Sequence, residues 1–124
     1  MLRVGDVIVL FSGTIPDPKP KWHLCVSVGR GWFFRINTKG HWGPPFALSA
    51  AENPCLKHDC YIELNAPVQF DEYEIEEALR VPANHKGRLS DTTLARLAEH
   101  IPKVRTIPKG EKKKIVDELA AVLP

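Results

Sequence analysis

No stretch of this chain approaches the roughly 18 consecutive apolar residues that a membrane span needs, and neither a repeat nor a low-complexity tract interrupts it. Met1 to Phe11 carries Arg3 and Asp6 inside its apolar pattern, unlike a secretory leader, so the cytoplasm is the expected compartment. Cysteine is scarce. Cys25, Cys55 and Cys60 are an odd number at spacings that make no disulfide scaffold, and reduced thiols are expected. A strong charge of one sign is missing too: the formal net charge of +2 argues against bulk polyanion binding. The imbalance that exists lies in residues 1–62, with seven Lys and Arg against four Asp and Glu. That suits an RNA-facing surface, although chance produces differences of this size.

What is present is the composition of a folded domain. The 124 residues are 44% hydrophobic and 26% charged, enough for one core without disulfides or a structural metal, and a single domain over 1–124 is expected. The first forty residues read as strands rich in β-branched and aromatic types: Val7 to Phe11, Trp22 to Val28 and Trp32 to Asn37. Gly29-Arg30-Gly31 joins the second and third as a short antiparallel hairpin. Between the first and second, Pro16, Pro18 and Pro20 forbid a central strand and predict a surface loop over 12–20. A second Gly/Pro loop, Lys39 to Pro45, precedes a short strand Phe46 to Ser49, and Cys60 to Leu64 alternates as a half-buried strand. Trp32 and Phe34 must point to one face and Phe33 to the other, so one of the two sets is exposed or covered by helices. Asp71 to Glu77 packs five carboxylates into seven residues and reads as a solvated edge, with helix as one reading of it.

Toward the C-terminus the period changes. Ser90 is an N-cap before Leu94, Leu97, Ala98 and Ile101, and Pro102 stops that helix. Lys109 to Val122 repeats the logic, with Ile115, Val116, Leu119 and Leu123 on one stripe and Lys112 to Lys114 on the wet side. Sheet first and helices last is the α+β pattern.

Gly5-Asp6-Val7-Ile8-Val9-Leu10 resembles the Gly-Asp-Ile/Val-Val opening of the PemK/MazF toxin ribonucleases. Lys21-Trp22-His23-Leu24-Cys25-Val26-Ser27-Val28 stands where that family has Lys-Arg-Pro-Ala-Leu-Val-Val-Ser, and Ile36-Asn37-Thr38 where it has Ile-Thr-Ser. His58-Asp59-Cys60-Tyr61-Ile62 is similar to a strand of its divergent relatives, and Gly87-Arg88-Leu89 to Leu94 to the segment opening its C-terminal helix. The resemblance covers nearly the whole chain. It implies a small SH3-like β-barrel of five to six strands, over about 3–70, with two C-terminal helices over about 90–123. It also implies metal-independent cleavage of single-stranded RNA through a cyclic phosphate, no cofactor, a cognate antitoxin as protein partner, and a homodimer.

Such chemistry needs a base, a cation for the phosphorane and an acid for the leaving oxygen. The family's Ser/Thr position falls on Thr38, but its strand-two Arg position falls on Trp22. Lys21 or His23 would then supply the cation, and His58, beside Asp59, the base or acid. Asn37, Lys39 and Asp59 would border the substrate, with Trp22 and Trp42 stacking on unpaired bases. Each has a plainer reading: His23 as a core histidine, Asn37 and Thr38 as turn caps, the tryptophans as core. Cys55, His58 and Cys60 are zinc-type ligands, yet Cys-x2-His-x-Cys is no standard finger and needs a fourth ligand from Cys25, His23 or His41, so no metal is expected. The rival to an enzyme is a non-catalytic SH3-like module binding protein or nucleic acid. A third reading is an inhibitor that keeps only the barrel.

Overall fold

Period-two alternation in the first strands sends apolar side chains to both faces, so the sheet needs cover on both. The computed structural model describes residues 1–40 and 44–124, and the expected stacking residue Trp42 lies outside them. The chain is α+β. Its strands are β1 (Asp6–Ser12), β2 (Lys19–Ser27), β3 (Trp32–Asn37), β4 (Pro45–Leu48), β5 (Cys60–Glu63), β6 (Val68–Gln69) and β7 (His85–Arg88). The helices are α1 (Glu72–Leu79), α2 (Asp91–His100) and α3 (Lys109–Ala121). The strands form one sheet in the order β4-β5-β3-β2-β1-β7, antiparallel in every pair, with β6 attached to β3. Among the described residues the outermost strands, β4 and β7, do not pair with each other, so the sheet is open.

Both faces are covered. Val7, Leu24, Val26, Phe34, Ile36 and Ile62 meet Leu94 and Leu97 of α2 and Ile115 and Leu119 of α3 in the main core. The alternate residues Ile8, Leu10, Cys25 and Phe33 form a second core with Phe70, closed by Ile75, Ala78 and Leu79. Phe33 and Phe34 are thus both buried, on opposite sides of β3. The acidic stretch is the helical form of the solvated edge expected there, with no fully buried residue in α1. Asp71 Oδ1 accepts from the Glu74 N–H at 2.7 Å and Glu74 Oε1 accepts from the Asp71 N–H at 3.1 Å, a reciprocal cap that starts α1. Ser90 caps α2 as expected, its side chain accepting from the Thr93 N–H at 3.2 Å.

The proline loop is shorter than the sequence suggests. β2 begins at Lys19 and includes Pro20, which pairs with Phe11 of β1. Proline is tolerated there because β3 has already left that side of β2. The β2–β3 register runs Ser27↔Trp32 to His23↔Arg35, with a bulge between Cys25 and Ser27, and goes no further. Beyond it β2 stays with β1, while Ile36 and Asn37 of β3 pair with Ile62 and Tyr61 of β5. The two strands part like a wedge.

The hairpin turn is pinned from outside. Gly31 has φ +66° and its carbonyl accepts from the Phe70 N–H at 2.9 Å, so a Cβ there would lie 2.2 Å from the Phe70 carbonyl oxygen. Gly31→Ala should therefore destabilise the protein by at least about 2 kcal/mol in urea unfolding, from strain plus the lost tie to Phe70. Gly29→Ala, which meets nothing within 4 Å, should change stability by less than about 1 kcal/mol.

Candidate functional site

The wedge opens a cleft of about 380 Å³. Lys19, Lys21 and Trp22 line it from β2, Asn37 and Thr38 from the end of β3, and Lys57 and His58 from the loop before β5. Apolar Ile36, Leu56 and Cys60 complete it. Neighbours on one strand face opposite sides of a sheet, yet Lys21 and Trp22 both border the cleft because the seam itself is open there. The only polar tie across the seam between these two strand ends, among the described residues, is the hydrogen bond from Lys21 Nζ to Asn37 Oδ1. Asn37 passes it on, donating from Nδ2 to Glu63 Oε2 at 3.1 Å. Burial and the like charge of Lys19 hold the Lys21 ammonium below its ordinary pKa of 10.5, with Glu63 opposing.

The loop carrying His58 is anchored from below. Buried Asn53 donates to the Ser49 carbonyl at 2.9 Å and to Thr93 Oγ1 at 3.1 Å, and accepts from the Ser90 N–H at 2.8 Å. These bonds fasten residues 49–56 to the start of α2. His58 itself is exposed, and its Nδ1 meets the Asp59 carbonyl oxygen at 2.9 Å. A carbonyl only accepts, so Nδ1 carries the proton and Nε2 of the neutral ring is left as a base facing solvent. The Asp59 carboxylate does not serve His58: its Oδ1 accepts from the Ala50 N–H at 2.9 Å, and Asp59 does not line the cleft.

Of the expected site residues, Lys21, Trp22, Asn37, Thr38 and His58 come together; His23, Lys39 and Asp59 do not. Lys39 is exposed in the turn after β3. His23 is fully buried in the second core, with the edges of Phe33 and Phe70 against it at ring-centre distances of 6.4 and 5.1 Å. Its Nδ1 donates to the Lys21 carbonyl at 2.8 Å, and Nε2 has no partner among the described residues. Burial above all pushes its pKa down to about 4, so it is a neutral core side chain rather than a cation for a phosphate. Trp22 is half-buried and already has company: Lys57 Nζ lies 5.9 Å and Lys86 Nζ 5.1 Å from its ring centre. Among the described residues no three His, Cys, Asp or Glu side chains group as a metal site, so Cys55, His58 and Cys60 do not converge.

Arg35 is the residue that sequence reading passed over. It is the cross-strand partner of His23, the last pair before the seam, and it borders a second cavity that shares Lys19, Lys21 and Asn37 with the cleft. The signal was the polar phase of β3, in which Arg35 and Asn37 alternate with Phe34 and Ile36.

Comparison with protein-family models, with curated proteins and with solved structures gives no match. Among the described residues no helix is long and apolar enough to cross a membrane.

His23 makes stability depend on acid. The unfolded chain protonates this ring near the ordinary 6.5, whereas the folded chain resists until about 4. Stability is therefore undiminished above about 6.5 and falls as pH drops through that interval, by up to about 3 kcal/mol. Urea unfolding from pH 7 to pH 4 checks this, and His23→Phe should remove most of that slope.

Proposed function

We propose that the cleft binds single-stranded RNA and cleaves it by the ribose 2′-hydroxyl route, without a metal ion, as a divergent and open form of the PemK/MazF toxin barrel. One observation carries the reading: three lysines, an accessible histidine base and an asparagine–threonine pair converge on one cleft, and no carboxylate is among its described lining residues. Divalent metals for phosphoryl transfer are held by carboxylates, whereas lysines suit the phosphate chain and the charge that builds on the phosphorane.

In this mechanism His58 Nε2 takes the proton of the 2′-hydroxyl. The 2′-oxygen attacks the adjoining phosphorus, the bond from phosphorus to the 5′-oxygen breaks, and a 2′,3′-cyclic phosphate forms. Lys21, an ammonium with a lowered pKa, gives the leaving 5′-oxygen its proton, and solvent water then carries the proton gained by His58 back to Lys21, which restores both groups. Lys19 and Lys57 neutralise the phosphorane, Thr38 and Asn37 orient the phosphate, and Trp22 offers a stacking face once a base displaces one of its lysines. On this reading the chain is the toxin of a pair, acting in the cytoplasm and restrained by a cognate antitoxin that covers the cleft.

Incubation of a long single-stranded RNA with the purified protein in excess EDTA should give fragments with 2′,3′-cyclic phosphate and 5′-hydroxyl ends. His58→Ala and Lys21→Ala should each slow cleavage by about 10²- to 10⁴-fold with the fold intact. RNA binding without cleavage would instead make the chain a binding module.

A further inference from the structure

The cavity on the far side of the Lys21–Asn37 bond, about 390 Å³, has a different chemistry from the cleft. It combines the carboxylate of Glu63, the guanidinium of Arg35 and the apolar side chains of Ile15 and Pro16, and the exposed ion pair of Asp17 with Lys19, 3.6 Å apart, also lines it. Glu63 and Arg35 are largely buried, with 16% and 14% of their side chains exposed. Their closest approach, Arg35 NH1 to Glu63 Oε1, is 3.7 Å, too long for a hydrogen bond. Each is instead fixed by neutral neighbours. Glu63 accepts from Asn37 Nδ2 on one oxygen and from Asn65 Nδ2 on the other, both at 3.1 Å. Arg35 donates from Nε to Ser12 Oγ at 2.9 Å and from NH2 to Thr14 Oγ1.

A carboxylate oxygen accepts two hydrogen bonds, so each oxygen of Glu63 has one place left. The pair therefore presents two adjacent acceptors beside a cation, on a cavity with an apolar wall. Guanine is the nucleobase with the complementary edge, two neighbouring donors, N1–H and the N2 amino group, beside the acceptor O6. Adenine, cytosine and uracil lack two adjacent donors. We infer that this cavity is a guanine-selective base pocket adjoining the cleft. Glu63 accepts from N1–H and N2–H, Arg35 or Lys21 donates to O6, and Ile15 and Pro16 lie against the base. Its place in an RNA path rests on the function proposed for the cleft, but the pocket can be tested without any cleavage.

Titration calorimetry of the full chain with the four ribonucleoside 5′-monophosphates should show guanosine monophosphate binding about tenfold or more tightly than the others. Inosine monophosphate, which lacks only the 2-amino group, should bind several-fold more weakly than guanosine monophosphate. Glu63→Gln should level the four while leaving the melting curve in place; should that variant not fold, the inosine comparison on the unaltered protein decides. Equal binding of all four nucleotides, no binding at millimolar concentration, or inosine matching guanosine would overturn the pocket. Guanine selectivity in a protein that cuts no RNA would keep the pocket and remove the nuclease.

Discussion

The hydrogen-bond ladder between β2 and β3 stops at His23↔Arg35, and both cavities assigned to the proposed function open beside that stop. On its turn side the strands stay paired as far as Ser27↔Trp32, with one bulge between Cys25 and Ser27, and apolar side chains pack on both faces. On the other side each strand has a different partner, β1 for β2 and β5 for β3, so the seam between them is free of backbone pairing. Backbone and side-chain polar groups released in this way must be satisfied by side chains, solvent or a ligand. Lys21, Asn37 and Glu63 supply the side-chain part, as a chain of hydrogen bonds from one strand end to the other.

The same stop separates two kinds of surface. The cleft gathers cations and a histidine base, while the adjoining cavity gathers Arg35 and Glu63. On the proposed function the cleft takes the phosphodiester and the adjoining cavity the base, with Lys19, Lys21 and Asn37 shared between them. The seam can do this because residues of opposite strand phase, Lys21 and Trp22, both reach it. In a continuous sheet they would be on opposite faces.

Much of the fold was legible in the sequence because it rests on local rules. The Gly29–Gly31 hairpin, the Ser90 cap and the apolar stripes of α2 and α3 are set within a few residues, and they stand where the patterns put them. Pro20 misled because proline excludes a strand only where both sides must pair, and one side of β2 is open at that point. The acidic stretch read as a solvated edge with helix as one reading, and the Asp71-x-x-Glu74 cap in the sequence is what makes it helical at Glu72–Leu79. The β7 strand is four residues after a 3-10 turn, too short to show a period.

The site was legible as a set of residues but not as an arrangement. His23 and His58 look alike in sequence, and only register separates them: His23 faces Phe33 and Phe70, while His58 lies on a loop held by Asn53. Arg35 was read as part of a strand because its neighbours are Phe34 and Ile36, and its importance appears only once the ladder is seen to end beside it. The central claim, that single-stranded RNA enters where β2 and β3 part, is tested most directly by amide and indole NMR shifts of the labelled protein during titration with a short, 2′-O-methylated RNA. The account predicts perturbations at Lys21, Trp22, Asn37, Thr38, Lys57 and His58, with α1 unmoved; a spectrum unchanged at high RNA, or shifts confined to the Lys112–Lys114 face of α3, would contradict it.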